Sequence, residues 1–249
     1  MGIENKRVYG EKVDINKEKV RLFWNERAKK YTEKNPYKAV KCNDSNNNYA
    51  DALDEYEKQI IIPKLKIDKN SKVLDIGCGI GRLAEIIAPN SKYYLGTDFA
   101  QKLLDIAKVR VGNIGNCDFE VCDFFNLSKN NTAKNSGPFN TVILAGVAMY
   151  INDCELIDCL TQLLKLLDQN SIIYLSGPIG IRDRLTLNEF YSKELDSEYN
   201  VIYRTIDEYM KVLKVLTENG FELIENNSFL TEIKQYSDTE RHYFILKRN

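Results

Sequence analysis

The chain of 249 residues is poor in histidine (one), tryptophan (one), methionine (three) and proline (five), and no stretch approaches the about 18 consecutive apolar residues of a membrane span. A membrane-spanning helix is therefore not expected. The lone histidine, His242, offers no imidazole cluster for a transition metal, and on an expected strand it reads as structural rather than as a general base. The six cysteines, at 42, 78, 117, 122, 154 and 159, never form the CxxC pair that gives zinc two adjacent ligands. Packed, reduced thiols are expected, with no metal. An excess of one charge is missing as well. The 35 Lys and Arg against 36 Asp and Glu leave a net charge of −1, and hence no global field to draw nucleic acid or acidic lipid. The opening Met1-Gly2-Ile3-Glu4-Asn5-Lys6 is no signal peptide, and Lys6 stands where myristoylation wants Ser or Thr. A cytoplasmic protein is expected.

What is present is an α/β pattern, read as one domain over 1–249 with a helical cap over 1–70 and a core over 71–249. In the cap, Val20, Phe23, Trp24, Ala28 and Tyr31 recur at helical spacing, and a second helix runs from about 50 to 62 until Pro63 interrupts it. The Asn-rich 41–48 is a loop, and no strand pattern occurs before residue 71. These helices either pack on a sheet edge or close over a ligand, with Trp24, Arg27 and Tyr31 near the buried face. From Ser71 onward, short apolar runs at 72–76, 93–97, 119–122, 141–144 and 172–175 alternate with helices near 82–87, 101–109 and 154–167. That alternation describes a parallel sheet covered on both faces. Thr205-Ile206-Asp207-Glu208 is a capping box that opens a helix ending at Gly220, and strands at 221–225 and 242–247 close the chain. An insertion at 178–202 breaks the rhythm, and 128–137 reads as a surface loop.

The run Val73-Leu74-Asp75-Ile76-Gly77-Cys78-Gly79-Ile80-Gly81-Arg82 sets a buried strand before three alternate glycines and a helix start. Glycine there permits a tight turn and close approach of a ligand to the backbone. A dinucleotide fingerprint wants glycine where Arg82 stands, and Asp75 would repel a pyrophosphate but tolerate a ligand carrying ammonium and sulfonium charges. A Walker loop is excluded because no Gly-Lys-Ser/Thr follows. The run resembles motif I of the class I S-adenosylmethionine-dependent methyltransferases. That resemblance implies a Rossmann-like, seven-stranded, mostly parallel sheet with an antiparallel last strand, S-adenosyl-L-methionine as cofactor and S-adenosyl-L-homocysteine as product. It covers 70–176 by motif and the C-terminal elements by pattern. Gly77, Cys78, Gly79 and Asp75 match the glycine turn; Asp98, followed by Phe99, matches the acidic residue that binds the ribose hydroxyls. The competing reading of Asp98 is a cap for the helix that follows, but its place about twenty residues beyond the glycines argues for ribose. Asp123 and Phe124 resemble the adenine site, although Asp123 could cap a turn, and Ala145 lies where the family's backbone lines the methionine moiety.

Methyl transfer from a sulfonium needs mainly alignment of the nucleophile, so the acceptor is read from segments outside the sheet. After the fourth strand there is no Asn/Asp-Pro-Pro-aromatic run of the kind found in enzymes that methylate nucleobase amines. Tyr150 stands near the place where many small-molecule relatives carry histidine, and is the candidate catalytic residue; the other reading is a half-buried tyrosine. Arg182, Arg184, Tyr203 and Arg204 fall at the carboxyl end of the sheet and are the candidate acceptor-binding residues, with Asp183 an alternative base. A solvated charged loop is the competing reading. The chain is similar to small-molecule methyltransferases of bacterial surface-polysaccharide pathways, which implies O-methylation of a sugar, nucleotide-linked, phosphate or phosphoramidate acceptor, as in capsule biosynthesis. The expected partners are a small polar acceptor and no nucleic acid or membrane, in a monomer or homodimer. A silent S-adenosylmethionine-binding subunit and an RNA or protein methyltransferase are the rival readings.

Overall fold

The computed structural model describes residues 6–41, 47–233 and 236–248. In chain order its elements are β1 (Lys6–Tyr9), α1 (Lys17–Arg27), α2 (Asn47–Tyr56), β2 (Lys72–Ile76), α3 (Ala84–Ile87), β3 (Tyr93–Asp98) and α4 (Gln101–Val111). There follow β4 (Cys117–Val121), α5 (Asn131–Ser136), β5 (Phe139–Ala145), α6 (Asp153–Leu163), β6 (Leu167–Gly180), β7 (Leu185–Ser192), β8 (Ser197–Tyr203), α7 (Ile206–Thr217), β9 (Phe221–Phe229) and β10 (Thr239–Arg248).

Seven strands form the main sheet in the order β4-β3-β2-β5-β6-β10-β9. β2 to β6 run parallel, and β10, the last strand, is antiparallel to both β6 and β9. The central strands read as continuous apolar runs because helices cover both faces: Val73, Leu74, Ile76, Val142, Ile143 and Leu144 are all buried. Strand order reverses at β2, which pairs with β3 on one side and β5 on the other. Crossover connections leave opposite sides of the sheet there, so a crevice opens beyond the carboxyl ends. The capping box is present, with Glu208 N donating to Thr205 Oγ1 at 3.3 Å and Thr205 N to Glu208 Oε2 at 3.2 Å.

Two expectations are corrected, and the insertion gains a structure. A strand does occur before residue 71, since β1 pairs antiparallel with β7 from Lys6↔Asn188 to Tyr9↔Leu185. The insertion 178–202 is ordered: β6 extends to Gly180, and β7 and β8 pair antiparallel, so β1, β7 and β8 make a second sheet. The segment 128–137 is largely helical, because the Asn130 side chain accepts from Ala133 N at 2.9 Å and caps α5. Cys78, Cys117, Cys122, Cys154 and Cys159 are free thiols, and Cys42 lies outside the described residues. Among the described residues no helix is long and apolar enough to cross a membrane, and no group of three His, Cys, Asp or Glu is placed to hold a metal.

Candidate active site

A cavity of about 770 Å³ opens at the carboxyl ends of β2, β3 and β5 and continues beneath the second sheet. Its floor is the glycine turn. Gly77 (φ +71°) and Gly79 (φ +57°) occupy the left-handed region, where a side chain is strained. A Cβ on Gly77 would stand 2.4 Å from Val147 Cγ2, and one on Gly79 2.7 Å from Val40 Cγ1. The turn is thus a bare backbone cradle, walled by the segment after β5 on one side and by the cap on the other.

Asp98 ends β3 with its carboxylate buried, accepting from Gly79 N at 3.0 Å and Ala100 N at 2.8 Å. Burial pushes its pKa up to about 6 against the lowering by these backbone N–H groups. Asp98 is not the cap of α4, whose N-cap is Ala100 without a side-chain bond; a carboxylate with two N–H donors retains lone pairs for a diol. Asp75 is buried beside it, accepting from Tyr94 Oη, and burial likewise raises it to about 6. Asp123 serves two partners: Oδ1 accepts from Asn126 N at 2.9 Å, and Oδ2 pairs with Arg21 of α1 at 3.0 Å. That guanidinium also lies 5.4 Å from the centroid of Phe99. Cys78, Phe124 and Ala145 complete the lining, so all nine cofactor-site candidates face one cavity.

Arg82, in the position that departs from a dinucleotide fingerprint, anchors the cap. Its buried guanidinium reaches Asp54 at 3.0 Å and Glu57 at 2.7 Å. Glu57 also accepts from Tyr174 Oη at 2.8 Å, Ser176 Oγ at 3.2 Å and Lys41 Nζ at 3.0 Å. Burial would raise the Glu57 pKa, but Arg82 and Lys41 hold it well below the usual carboxylate range, while burial lowers Lys41 to about 8.

Tyr150 and Tyr203 line the cavity, and the Tyr150 and Tyr199 hydroxyls are 2.6 Å apart. The arginines expected to bind the acceptor do not. Arg184 and Arg204 are buried away from the cavity, paired with Asp153 at 3.2 and 2.7 Å, and Arg184 also with Glu208 at 3.2 Å. Arg184 precedes the start of β7 and Arg204 follows the end of β8, where both face carboxylates of the first turns of α6 and α7. Arg182 and Asp183 are exposed and outside the lining. His242 is buried on β10 between Ser228 Oγ, 3.0 Å from Nδ1, and Asn226, also outside the lining. Among the lining residues that escaped the sequence reading are Lys41, Glu57, Tyr199 and Arg241. No motif surrounds them, and only the charge of Glu57 on the buried side of a helical pattern marked it out.

A family model described as a methyltransferase domain matches residues 67–220, more than half of the chain. Phosphoethanolamine N-methyltransferase 1 of Caenorhabditis elegans is 25% identical over 163 residues, 66% of this chain; the match takes in only 32% of that curated relative. Among solved structures, phosphoethanolamine N-methyltransferase 1 of Haemonchus contortus in complex with phosphoethanolamine and S-adenosylhomocysteine superposes with a TM-score of 0.72 at 21% identity, covering 93% of this chain and 48% of that one. Magnesium protoporphyrin IX methyltransferase of Synechocystis with bound S-adenosylmethionine gives a TM-score of 0.58 at 17% identity, covering 96% of this chain and 100% of that one. With the glycine cradle, the acidic end of β3 and the matched 67–220, the chain belongs to the methyltransferase-domain family and shares the fold of the solved methyltransferases that bind S-adenosylmethionine or S-adenosylhomocysteine.

Proposed function

We propose that the protein methylates a small acceptor bearing an anionic group, a phosphorylated amine or hydroxyl compound. Arg241 carries this reading. It lies half-buried on β10 in the cavity wall, hydrogen-bonded with Tyr49, and among the described residues no carboxylate forms an ion pair with it. Arg82, Arg184 and Arg204 are all neutralised. A guanidinium fork in a partly desolvated wall suits a phosphate or carboxylate. Tyr150, Tyr191, Tyr199 and Tyr203 share the wall, and offer hydroxyls to phosphate oxygens and ring faces to an ammonium. The phosphoethanolamine in the Haemonchus structure is an acceptor of this kind. Sugar phosphates, nucleotide-linked sugars and phosphoramidates of capsule assembly belong to the same class.

For the cofactor, the bare backbone at Gly77 and Gly79 would receive the amino-acid portion, Asp98 the ribose hydroxyls, and Asp123 with Phe99 and Phe124 the adenine. Asp75, Cys78 and Ala145 would complete the wall. Bound there, the cofactor supplies a sulfonium-activated methyl group, and the electrons of the broken S–C bond stay on sulfur. The chain's task is to hold the nucleophile in line and, where the nucleophile bears a proton, to accept that proton near Tyr150 Oη.

The test is a panel of paired acceptors, phosphoethanolamine against ethanolamine and a sugar phosphate against its free sugar, with methylated product read by mass spectrometry. Phosphorylated members should turn over, and Arg241→Gln should raise their KM about tenfold or more, with S-adenosylhomocysteine affinity unchanged. Equal turnover of the uncharged members with a silent Arg241→Gln would defeat the anionic-acceptor reading. Tyr150→Phe should cost about 10²–10⁴ in kcat if Tyr150 accepts the proton, and stay within about tenfold if the nucleophile is already ionised.

A further inference from the structure

Arg204 is fully buried, and its guanidinium does not touch the cavity. Its three nitrogens are all committed. Nε donates to Asp153 Oδ1 at 2.7 Å, Nη1 to the Ala148 carbonyl at 2.8 Å and Nη2 to the Ile151 carbonyl at 2.5 Å. Those two carbonyls bracket Met149 and Tyr150, in the short turn that carries Tyr150 into the cavity. The same stretch of chain grips Tyr150 at its other end. Tyr199, on β8 just before Arg204, sets its hydroxyl 2.6 Å from that of Tyr150. Asp153 is itself fixed by Arg184 at 3.2 Å and by Lys12 at 3.0 Å. Burial would raise its pKa, but Arg204, Lys12 and Arg184 together lower it to about 2.

We propose that Arg204, oriented by Asp153, is a positioning residue for methyl transfer: it holds the backbone on both sides of Tyr150 so that the ring and hydroxyl stand in one place in the cavity. The inference rests on Tyr150 acting at the acceptor, as proposed above. A planar fork is needed for this, because three acceptors lie in three directions around one side chain. Lysine at 204 keeps the charge beside Asp153 but offers a single nitrogen, which cannot span both carbonyls. The turn then gains freedom, and displacement of a reacting group by about 1 Å can cost on the order of 10²-fold in rate.

The chain's single tryptophan reports the turn without any acceptor, since the Trp24 ring stands edge-on to Tyr150 with centroids 5.3 Å apart. In S-adenosylhomocysteine-bound protein, Arg204→Lys should increase acrylamide quenching of Trp24 and leave S-adenosylhomocysteine affinity within about threefold. With phosphoethanolamine, or the acceptor that the panel yields, kcat should fall about 10–100-fold and KM stay within about threefold. In a Tyr150→Phe background the same change should cost under about threefold, because coupled residues are not additive. Asp153→Asn, which keeps an oxygen for Nε and loses the charge, should move every readout in the same direction by less, and stands in if Arg204→Lys does not fold. Unchanged Trp24 quenching, an unaltered kcat, or a loss undiminished by Tyr150→Phe would overturn the positioning role. A Tyr150→Phe variant that is silent by itself overturns instead the role of Tyr150 on which the inference rests.

Discussion

At the scale of single residues, the proposed cofactor site turns on Asp98, whose carboxylate is held by the chain's own turn and lines the cavity. Two backbone donors fix it, which leaves lone pairs for a further donor. Asp98→Ala should weaken S-adenosylhomocysteine binding by about 1.5–3 kcal/mol in calorimetry, the worth of hydrogen bonds to a charged acceptor. The pH dependence has a definite sign. With the free carboxyl raised to about 6, protonation below that pH removes the acceptor, so affinity should fall from pH 7 to pH 5, by up to about tenfold for one group. Asp75, also near 6, titrates in the same window, and Asp98→Asn separates the two by abolishing only the Asp98 part. A flat profile in the parent protein would remove Asp98 from the ribose site. Asp75, Gly77, Gly79 and Asp98 were legible because a tight glycine turn and a strand-end carboxylate each demand particular residue types at fixed spacing. Arg184 and Arg204 were misread because a charge in sequence carries no direction: whether it meets solvent, ligand or Asp153 is decided by long-range packing.

At the scale of elements, α1 is the piece that couples the cap to the cofactor slot. Asn16 caps it, accepting from Glu18 N at 2.9 Å, and Val20, Phe23 and Arg27 form its buried face. From the cavity side of that helix, Arg21 reaches Asp123 and Phe99 while Trp24 meets Tyr150. The helix period was legible in the sequence, but whether the helix packs or covers was not; the pairing of Arg21 with Asp123 favours a cover. Adding S-adenosylhomocysteine should therefore shift Trp24 emission and lower its quenching by acrylamide. Arg21→Ala should cost under about 1 kcal/mol of stability, since the pair is half-exposed, yet release S-adenosylhomocysteine about threefold faster or more. Unmoved Trp24 emission together with an unchanged off-rate would leave α1 as packing alone.

At the scale of the whole molecule, the chain is built as a large sheet with an extensive core on each face and a smaller sheet laid across its open end. One core joins β2, β5, β6 and β10 to α6 and α7 and the other joins the same strands to α2 and α3, whereas the second sheet rests on a small cluster around Phe23, Met149, Leu185 and Val201. The first part was legible because β2, β3, β4 and β5 are each followed by a helix, which makes the pattern local. The second was not, because β1 pairs with β7 across most of the chain's length and its four residues carry no period of their own. What ties the two together is polar: Asn152 accepts from Ile15 N at 2.9 Å and donates to its carbonyl at 3.2 Å, Gly180 N donates to the Arg204 carbonyl at 2.9 Å, and Asp153 binds both arginines. A unit with little apolar burial and a polar hinge opens at lower free energy than the core it leans on. Native-state hydrogen exchange should then show two tiers. Amides of β2, β3, β5 and β6 should exchange only with global unfolding, and those of β1, β7, β8 and α1 faster, through a common partial opening. Saturating S-adenosylhomocysteine should slow the second tier more than the first, because the ligand would bind between the glycine turn and α1, and opening would have to release it. Uniform exchange across both sheets, with equal slowing by the ligand, would show instead that the molecule opens as one unit and that access to the cavity does not depend on the second sheet.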